Sequence, residues 1–541
     1  MKSAPALAGR PLRLPVLLFL VLATVSGIAA AASETAWWED AVFYEVFVRS
    51  FYDSDGDGIG DLNGLIERLD HLNDGDPSTT TDLGVTGLWL MPIAESPSYH
   101  GYDVEDYYSV DPDYGTIDDL RRLLDAAHAR GMHVIVDLVL NHTSSEHPWF
   151  VASRGRASAF RDRYLWSTTL PQMLGPWGQQ VWHFGGTGYY YGLFWSEMPD
   201  LDYRNPDVSV QMFDVVRFWL DEVGVDGFRL DAVRHLIENG EDQENTPATH
   251  FWLKAFYAVA KGWRPDGLLL GEVWDTPSAI APYLDRELDL CFEFSLADAV
   301  LSGVRNGRTA TIVDALSEVL TTYPDGRYAP FLSNHDQARV MTQLQNDEAK
   351  AKLAAAILMT LPGTPFVYYG EEIGMTGDKP DERIRTPMQW HEDAVAGFTT
   401  GTPWEPLASD REGRSVSAQT DDPDSLFSTY RRLIHFRNAS AVLRTGDLIV
   451  TSSGHLSILS YLRTDGVTTV WVLHNLSSFA ARPSALNASN GADLPPGTYE
   501  AVDRLGALPV SRFRIGEDGR LEGNIPSLAP RQSVVLELRA I

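Results

Sequence analysis

Eight short apolar runs recur along this chain, and helix-like stretches separate most of them. The runs are Ala41–Val48, Val85–Ile93, His133–Leu140, Val225–Leu230, Gly267–Val273, Leu288–Phe294, Tyr328–Leu332 and Thr364–Tyr369. Between them lie Ile117–Ala129, Val208–Val223, Thr249–Lys261 and Asp347–Thr360, which carry the helical spacing of apolar residues. Continuous apolar runs suit strands buried on both faces, and alternation of strand with helix makes those strands parallel. Eight such units predict a closed (β/α)8 TIM barrel, an α/β fold.

Two stretches break the alternation. Residues 143–205 follow the third run without a clean helical period and hold Trp149, Trp166, Trp177, Trp182, Trp195 and Tyr189-Tyr190-Tyr191. They read as a subdomain inserted on one face of the barrel. After the helix-like Leu426–Asn438 come short alternating runs at Leu456–Leu462, Thr468–Leu473, Gly497–Val502 and Ser533–Leu538. Turn residues separate them, which predicts a C-terminal antiparallel β-sandwich. The expected division is a barrel over 33–142 and 206–440, an insert over 143–205 and a β domain over 441–541.

The first 32 residues are expected to be a signal peptide. Lys2, Arg10 and Arg13 precede the apolar Leu14–Ile28, and Ala29 to Ser33 offer small residues for cleavage. The mature chain should start near Ser33 and be secreted or periplasmic, with no membrane attachment after cleavage. A net charge of −31 argues against nucleic acid or an anionic membrane as a partner held by charge. A monomer is expected. Cys291 is the only cysteine, so no intrachain disulfide forms. It sits in an apolar run and reads as core.

Four segments join an apolar run to polar residues that a strand interior disfavours: Asp137–His142, Gly227–His235, Gly271–Trp274 and Phe331–Asp336. They put Asp231, Glu272 and Asp336 at the ends of three strands. The carboxyl ends of barrel strands converge on one face, where active sites are built. Paired carboxylates cleave glycosidic bonds: one protonates the leaving oxygen and, in retaining enzymes, a second attacks the sugar from roughly 5–5.5 Å away. Arg229, two residues before Asp231 on a strand, shares its face and is expected to hold it ionised. Glu272, close to Trp274, is expected to have a raised pKa, as a general acid needs. One aspartate after a strand is more often a helix cap than a nucleophile. Four such segments in one chain are not explained that way.

In these segments the chain resembles the α-amylase family of glycoside hydrolases, from about Trp37 to its end. The resemblance implies that Asp231 is the nucleophile, Glu272 the acid/base and Asp336 the third carboxylate, which binds sugar hydroxyls. It implies that Arg229 positions the nucleophile and that His142 and His335 bond the sugar being cleaved. Tyr102 would stack on that sugar, Asp137 would support the site from beneath, and Arg234 and His235 would lie on the leaving-group side.

Asp53-Ser54-Asp55-Gly56-Asp57-Gly58-Ile59-Gly60-Asp61 spaces oxygen ligands like an EF-hand loop, but position twelve is Gly64 and flanking helices are not evident. Similar loops after the first barrel strand of family relatives bind Ca2+, which implies Asp53, Asp55, Asp57, Asp61 and the carbonyl of Ile59 as ligands of a structural ion. A second calcium in many α-amylases ties the insert to the barrel. The matching groups are Asn141, Asp200 and the carbonyl of His235, which could instead simply hydrogen-bond.

The implied substrate is starch and maltooligosaccharides. Ala232 after the nucleophile, Val273-Trp274 after Glu272, and Arg234-His235 lean toward α-1,4 bonds. Tyr99-His100 stand where exo-acting relatives often carry Asp-Asn, so a tight clamp on a terminal glucose is not expected. The Asp53–Asp61 loop and Arg385-Thr386-Pro387-Met388-Gln389-Trp390 resemble oligoglucosidases and trehalose synthases, and Met198–Asp202 is intermediate. The expected activity is a retaining α-amylase of an intermediate bacterial subgroup. The alternatives are an α-glucosidase or glucan transferase, and a non-catalytic carbohydrate-binding relative.

Overall fold

A computed structural model describes residues 36–488, 494–523 and 526–541. The expected leader over 1–32 lies outside them. Eight parallel strands follow one another in the chain: β1 (Phe43–Val46), β2 (Gly87–Leu90), β3 (His133–Leu138), β4 (Gly227–Leu230), β5 (Leu268–Gly271), β6 (Leu290–Phe292), β7 (Tyr328–Ala329) and β8 (Phe366–Tyr368). Each falls inside one of the eight apolar runs. From β1 to β7 each pairs with the next in sequence, and β8 pairs back onto β1. The seam between β7 and β8 is closed by Phe366 N–H to the Pro330 carbonyl at 2.9 Å and Thr364 N–H to the Tyr328 carbonyl at 3.2 Å. The sheet is therefore a barrel, and its strands are buried because helices cover the outer face.

The helices start where the sequence offers caps. Thr116 and Asp119 form a reciprocal capping box ahead of Ile117–His128. Asn205 accepts from the Asp207 N–H ahead of Pro206–Arg217, with proline at the first position. That helix runs on into a π-helical turn, Phe218–Val223, which stops at left-handed Gly224.

The insert is not wholly irregular. It contains the helix Pro148–Ser153 and a three-stranded antiparallel sheet of Trp166–Ser167, Tyr189–Tyr191 and Trp182–Phe184. Six residues are too short to show a helical period, so sequence patterning misses that helix. Phe150 stacks on Trp166 at 5.7 Å and meets Tyr190 edge-on at 4.7 Å, giving the insert its own aromatic core.

The C-terminal region is an eight-stranded antiparallel sheet of β9 (Asp447–Ser452), β10 (Ile458–Thr464), β11 (Thr469–Asn475), β12 (Asn487–Ala488), β13 (Gly497–Asp503), β14 (Ser511–Ile515), β15 (Leu521–Gly523) and β16 (Ser533–Ala540). It curls until Trp471 of β11 meets Phe513 of β14 at 5.8 Å, although two strands lie between them. Period-two alternation divides its central strands. Ile458, Leu462, Trp471, Leu473, Val534 and Leu536 pack inside the curled sheet. Leu459, Tyr461, Val470, Val472 and Val535 face the other way and join the barrel's core. One hydrophobic cluster therefore runs from the barrel into this sheet. No helix among the described residues is long and apolar enough to cross a membrane.

Candidate active site

Two of the three carboxylates are placed by the barrel's own ladder, and Asp336 lies in the loop beyond β7. Asp231 N–H bonds the Leu138 carbonyl at 3.2 Å and Glu272 N–H bonds the Leu230 carbonyl at 3.0 Å, so each acid leaves its strand at the same end. Arg229, on β4, is buried beneath them. Its Nη1 donates to Asp231 Oδ1 at 2.7 Å and to Asp137 Oδ1 at 2.9 Å. Its Nη2 lies 2.9 Å from Glu272 Oε2. Asp231 and Glu272 are thus held by the two ends of one guanidinium, the compact pairing that a retaining mechanism needs.

The residue after Asp231 is strained. Ala232 adopts φ 48° and ψ 33°, a left-handed conformation costly for any residue with a Cβ. The turn aims its N–H at Glu272 Oε2, 3.0 Å away. Strain spent on orienting a neighbour's carboxylate is what functional sites show.

Asp336 is reached by a second set of cations. His335 Nε2 lies 3.1 Å from its Oδ2 and Arg385 Nη2 donates to its Oδ1 at 2.9 Å. Burial alone would raise Asp336, but His335 and Arg385 outweigh it and hold the carboxyl far below the usual range. His335 Nδ1 also pairs with Glu45 Oε1 at 2.6 Å. Burial opposes its charge, yet the carboxylates of Asp336 and Glu45 raise it to about 9. Tyr102 bridges the two sets, with its hydroxyl 2.7 Å from His335 Nε2 and 3.2 Å from Asp137 Oδ2.

Arg229 pairs with Asp231 as expected, but its pull is not the largest influence on that carboxyl. Burial and the nearby Asp336 push Asp231 above the ordinary aspartate value against the pull of Arg229. Glu272 is also raised, by burial and by the charges of Asp231 and Asp336. The indole is not the cause: Trp274 stacks on Phe294 at 4.5 Å and is 44% exposed. Asp137, with its side chain fully buried, is raised to about 7, chiefly by burial. Acids outnumber cations here, so the cluster retains a proton more readily than separate carboxyls would.

The remaining expected site residues ring this cluster. His142 is buried, bonds the Tyr102 carbonyl through Nε2 at 3.1 Å, and is kept neutral by burial, its pKa falling to about 4. His235 is likewise lowered to about 4 by burial, and its Nδ1 faces the Gln243 carbonyl at 2.9 Å. Arg234 donates from Nε to His235 Nε2 at 3.1 Å and from Nη1 to the Trp274 carbonyl at 2.7 Å. The insert contributes Phe194 and Trp177, whose rings lie 5.7 Å and 5.8 Å from His235.

Sequence reasoning missed Glu45 as a site residue, and used Arg385 only as a marker of subgroup. Both had a signal. Glu45 is an acid inside an apolar run, and Arg385 lies in a singled-out motif. What neither shows in sequence is contact with a histidine pair-wise bonded to Asp336, 290 residues downstream of Glu45.

In the acidic loop, carboxylate oxygens of Asp53, Asp55 and Asp61 lie within 4.8 Å of one another. Asp57 is outside that group, and its Oδ1 accepts from Ile59 N–H at 2.8 Å. A short helix does follow the loop: Asp61 caps Leu62–Glu67 by accepting from Gly64 N–H at 2.8 Å. At the second expected cation site, Asn141 Nδ2 donates to Asp200 Oδ2 at 2.9 Å, while the buried Asn141 Oδ1 has no hydrogen-bond partner. Asp200 is buried and raised to about 7 by that burial. The sole cysteine, Cys291, is buried in β6 as expected.

Comparison with known proteins agrees with this geometry. The family profile described as Alpha amylase, catalytic domain, matches residues 45–446. Alpha-amylase 3 of Dictyoglomus thermophilum is 43% identical over 451 residues, covering 82% of this chain and 85% of that protein. Trehalose synthase/amylase TreS of Mycolicibacterium smegmatis is 35% identical, covering 88% of this chain and 91% of that protein. The crystal structure of alpha-amylase from H.orenii superposes with a TM-score of 0.81 at 42% identity, covering 92% of this chain and 99% of that one.

Proposed function

The chain belongs to the alpha-amylase family of glycoside hydrolases, and from that premise we propose that it hydrolyses α-1,4-glucosidic bonds in starch and maltooligosaccharides with retention. The observation that carries the reading is Asp231 and Glu272 on the two ends of the Arg229 guanidinium. Glu272, raised by burial, gives its proton to the leaving oxygen. Asp231 attacks the anomeric carbon and forms a glycosyl–enzyme ester. Glu272, now ionised, takes a proton from water, which attacks the same carbon and releases Asp231. Asp336, held ionised by His335 and Arg385, binds hydroxyls of the sugar and favours its distorted ring.

Ca2+ fits the acidic loop. Asp53, Asp55 and Asp61 offer hard oxygen ligands close enough to share one ion. When bound, the ion pins the loop after β1 and takes no part in bond cleavage. The unpartnered Asn141 Oδ1, beside the buried carboxylate of Asp200, suits a second cation between barrel and insert. Export through the N-terminal leader is part of the proposal, and an N-terminus near Ser33 on protein recovered outside the cytoplasm is the expected finding.

A maltoheptaose labelled at its reducing end tests the activity. Internal cuts support the amylase reading, while glucose released singly from the unlabelled end supports an α-glucosidase. The 35% identical trehalose synthase/amylase favours glucosyl transfer as the second reading. Products longer than the starting oligosaccharide, or isomerised maltose, would establish it.

A further inference from the structure

Glu45 is the only acid in the apolar strand β1, and it is 2% exposed. Parallel pairing sets it level with Trp89 of β2 and Tyr368 of β8. A lone carboxylate so deeply buried would be costly. Glu45 is not alone: its Oε1 lies 2.6 Å from His335 Nδ1. The imidazole is held in place on several sides. Trp89 meets it edge-on at 5.6 Å, and Tyr102 lies stacked at 5.6 Å and 18°. Arg385 Nε donates to the His335 carbonyl at 3.0 Å and fixes the backbone as well.

Both ring nitrogens of His335 face acceptors. Nδ1 meets Glu45. Nε2 lies 3.1 Å from Asp336 Oδ2 and 2.7 Å from the Tyr102 hydroxyl, whose single proton goes to Asp137 Oδ2 at 3.2 Å. A neutral imidazole has one N–H and can serve one side only, whereas an imidazolium serves both. With a neutral ring, either Glu45 or Asp336 would face a lone pair. Burial opposes the charge, and Asp336 and Glu45 together outweigh it. The other charged groups nearby do not replace Glu45. Arg229 on β4 acts on Glu45 and Asp336 from a distance but bonds Asp137, Asp231 and Glu272. Arg385 bonds Asp336. Asp137 and Asp231 also feel His335, and Tyr368 and Glu371 also feel Glu45. Among the described residues only Glu45 bonds Nδ1.

We propose that Glu45 is a positioning residue for the hydrolytic reaction: by holding Nδ1 of His335 it keeps the imidazole doubly protonated, so that Nε2–H stays on Asp336 and Asp336 stays ionised for the sugar hydroxyls. This rests on the α-1,4-glucan reading above. Glu45 bonds neither Asp231 nor Glu272 and acts through the histidine alone. A buried carboxylate beside an imidazole favours the charged ring, because water screens the attraction little there. Which ring nitrogen carries a proton is set by what the other one bonds. Loss of the Glu45 charge is therefore felt at the pH where the ring gives up its second proton, and not equally at every pH.

NMR of the intact enzyme carrying 15N-labelled histidine tests this without turnover, with His335→Asn to assign the signal. In wild type both nitrogens of His335 should carry protons at neutral pH. Glu45→Gln keeps the size and an acceptor but not the charge, and should lower the titration of His335 by about one pH unit or more. Glu45→Asp keeps the charge and should lower it less. Activity is read with α-maltosyl fluoride, whose fluoride leaves without a proton from Glu272, so the alkaline limb of kcat/KM does not report that acid. In Glu45→Gln this limb should move to lower pH by about one unit, with little loss on its acid side. A neutral His335 in wild type at neutral pH, an unshifted titration in Glu45→Gln, or a loss of kcat/KM equal at every pH would overturn the proposal. If Glu45→Gln does not fold, the wild-type spectrum decides alone. A wild type that cleaves no α-glucan yet shows the shifted titration would break the hydrolytic reading and keep the hold of Glu45 on His335.

Discussion

His335 and His474 are both completely buried, and their electrostatics are opposite. His335, at the mouth of the barrel, sits between Glu45 and Asp336 and is raised to about 9. His474, where the C-terminal sheet meets the other end of the barrel, has only neutral partners: Ser533 Oγ at 2.8 Å, Tyr461 hydroxyl at 2.9 Å and Thr360 Oγ1 at 3.2 Å. Burial lowers it to about 3. The arginines repeat the contrast. Arg229 bonds carboxylates, whereas Arg437 donates to the carbonyls of Met359, Leu361 and Gly363 at 2.7–2.9 Å. Arg463 donates to Thr360, Leu443 and Gly446. Neither of the latter two pairs with a carboxylate among the described residues. They lock the C-terminal carbonyls of the helix Glu348–Thr360, where the helix dipole favours positive charge. Charge at the mouth is poised for proton transfer. Charge at the other end fastens one domain to the next.

The largest expected effect is at the mouth. Glu272→Gln should lower kcat on maltoheptaose by about 10³-fold, within the usual range for a general acid/base, while calorimetry still detects binding. Turnover near the wild-type rate would refute the acid assignment. Arg437→Met should cost about 3 kcal/mol of stability in a urea titration, because three buried carbonyls lose charged donors, and should leave kcat of the folded fraction within about twofold. If it disabled turnover as Glu272→Gln does, the two ends would not be functionally separate.

The histidines give the next effect, and their signs differ. His335 is raised above its unfolded value near 6.5 to about 9, so its contribution to stability is full below pH 6.5 and lost as pH rises through 9. His474 is lowered, so its contribution is full above pH 6.5 and lost as pH falls toward 3. At about 1.4 kcal/mol per pKa unit, each shift corresponds to on the order of 3–5 kcal/mol. Melting curves across pH should show His474→Asn flattening only the acid limb and His335→Asn only the alkaline limb. The same limbs in both variants as in wild type would contradict the contrast. The smallest effect is metal removal. Chelation should lower the melting temperature by an amount equivalent to about 2 kcal/mol if the acidic loop is loaded at a few tens of times its Kd. Identical melting with chelator, or with calcium restored, would count against the loop as a cation site.

The sequence alone determined the barrel, the insert after β3, the C-terminal sheet and the three strand-end carboxylates. These depend on hydrophobic period, which is local in the chain, and on the general rule that parallel strand ends of a barrel converge on one face. Its pattern grouped Asp231, Glu272 and Asp336 with Arg229, and the family resemblance added Tyr102, His142 and His335. Only the tertiary structure decided how that cluster is charged. Whether Arg229 leaves Asp231 below or above its ordinary pKa depends on burial and on Asp336, which is more than a hundred residues away. Glu45 and Arg385 acquire their roles only when β1 and the segment after β8 close around His335. Spacing along a chain fixes which groups share a strand or a helix face, whereas desolvation and Coulomb terms depend on every group brought near in space.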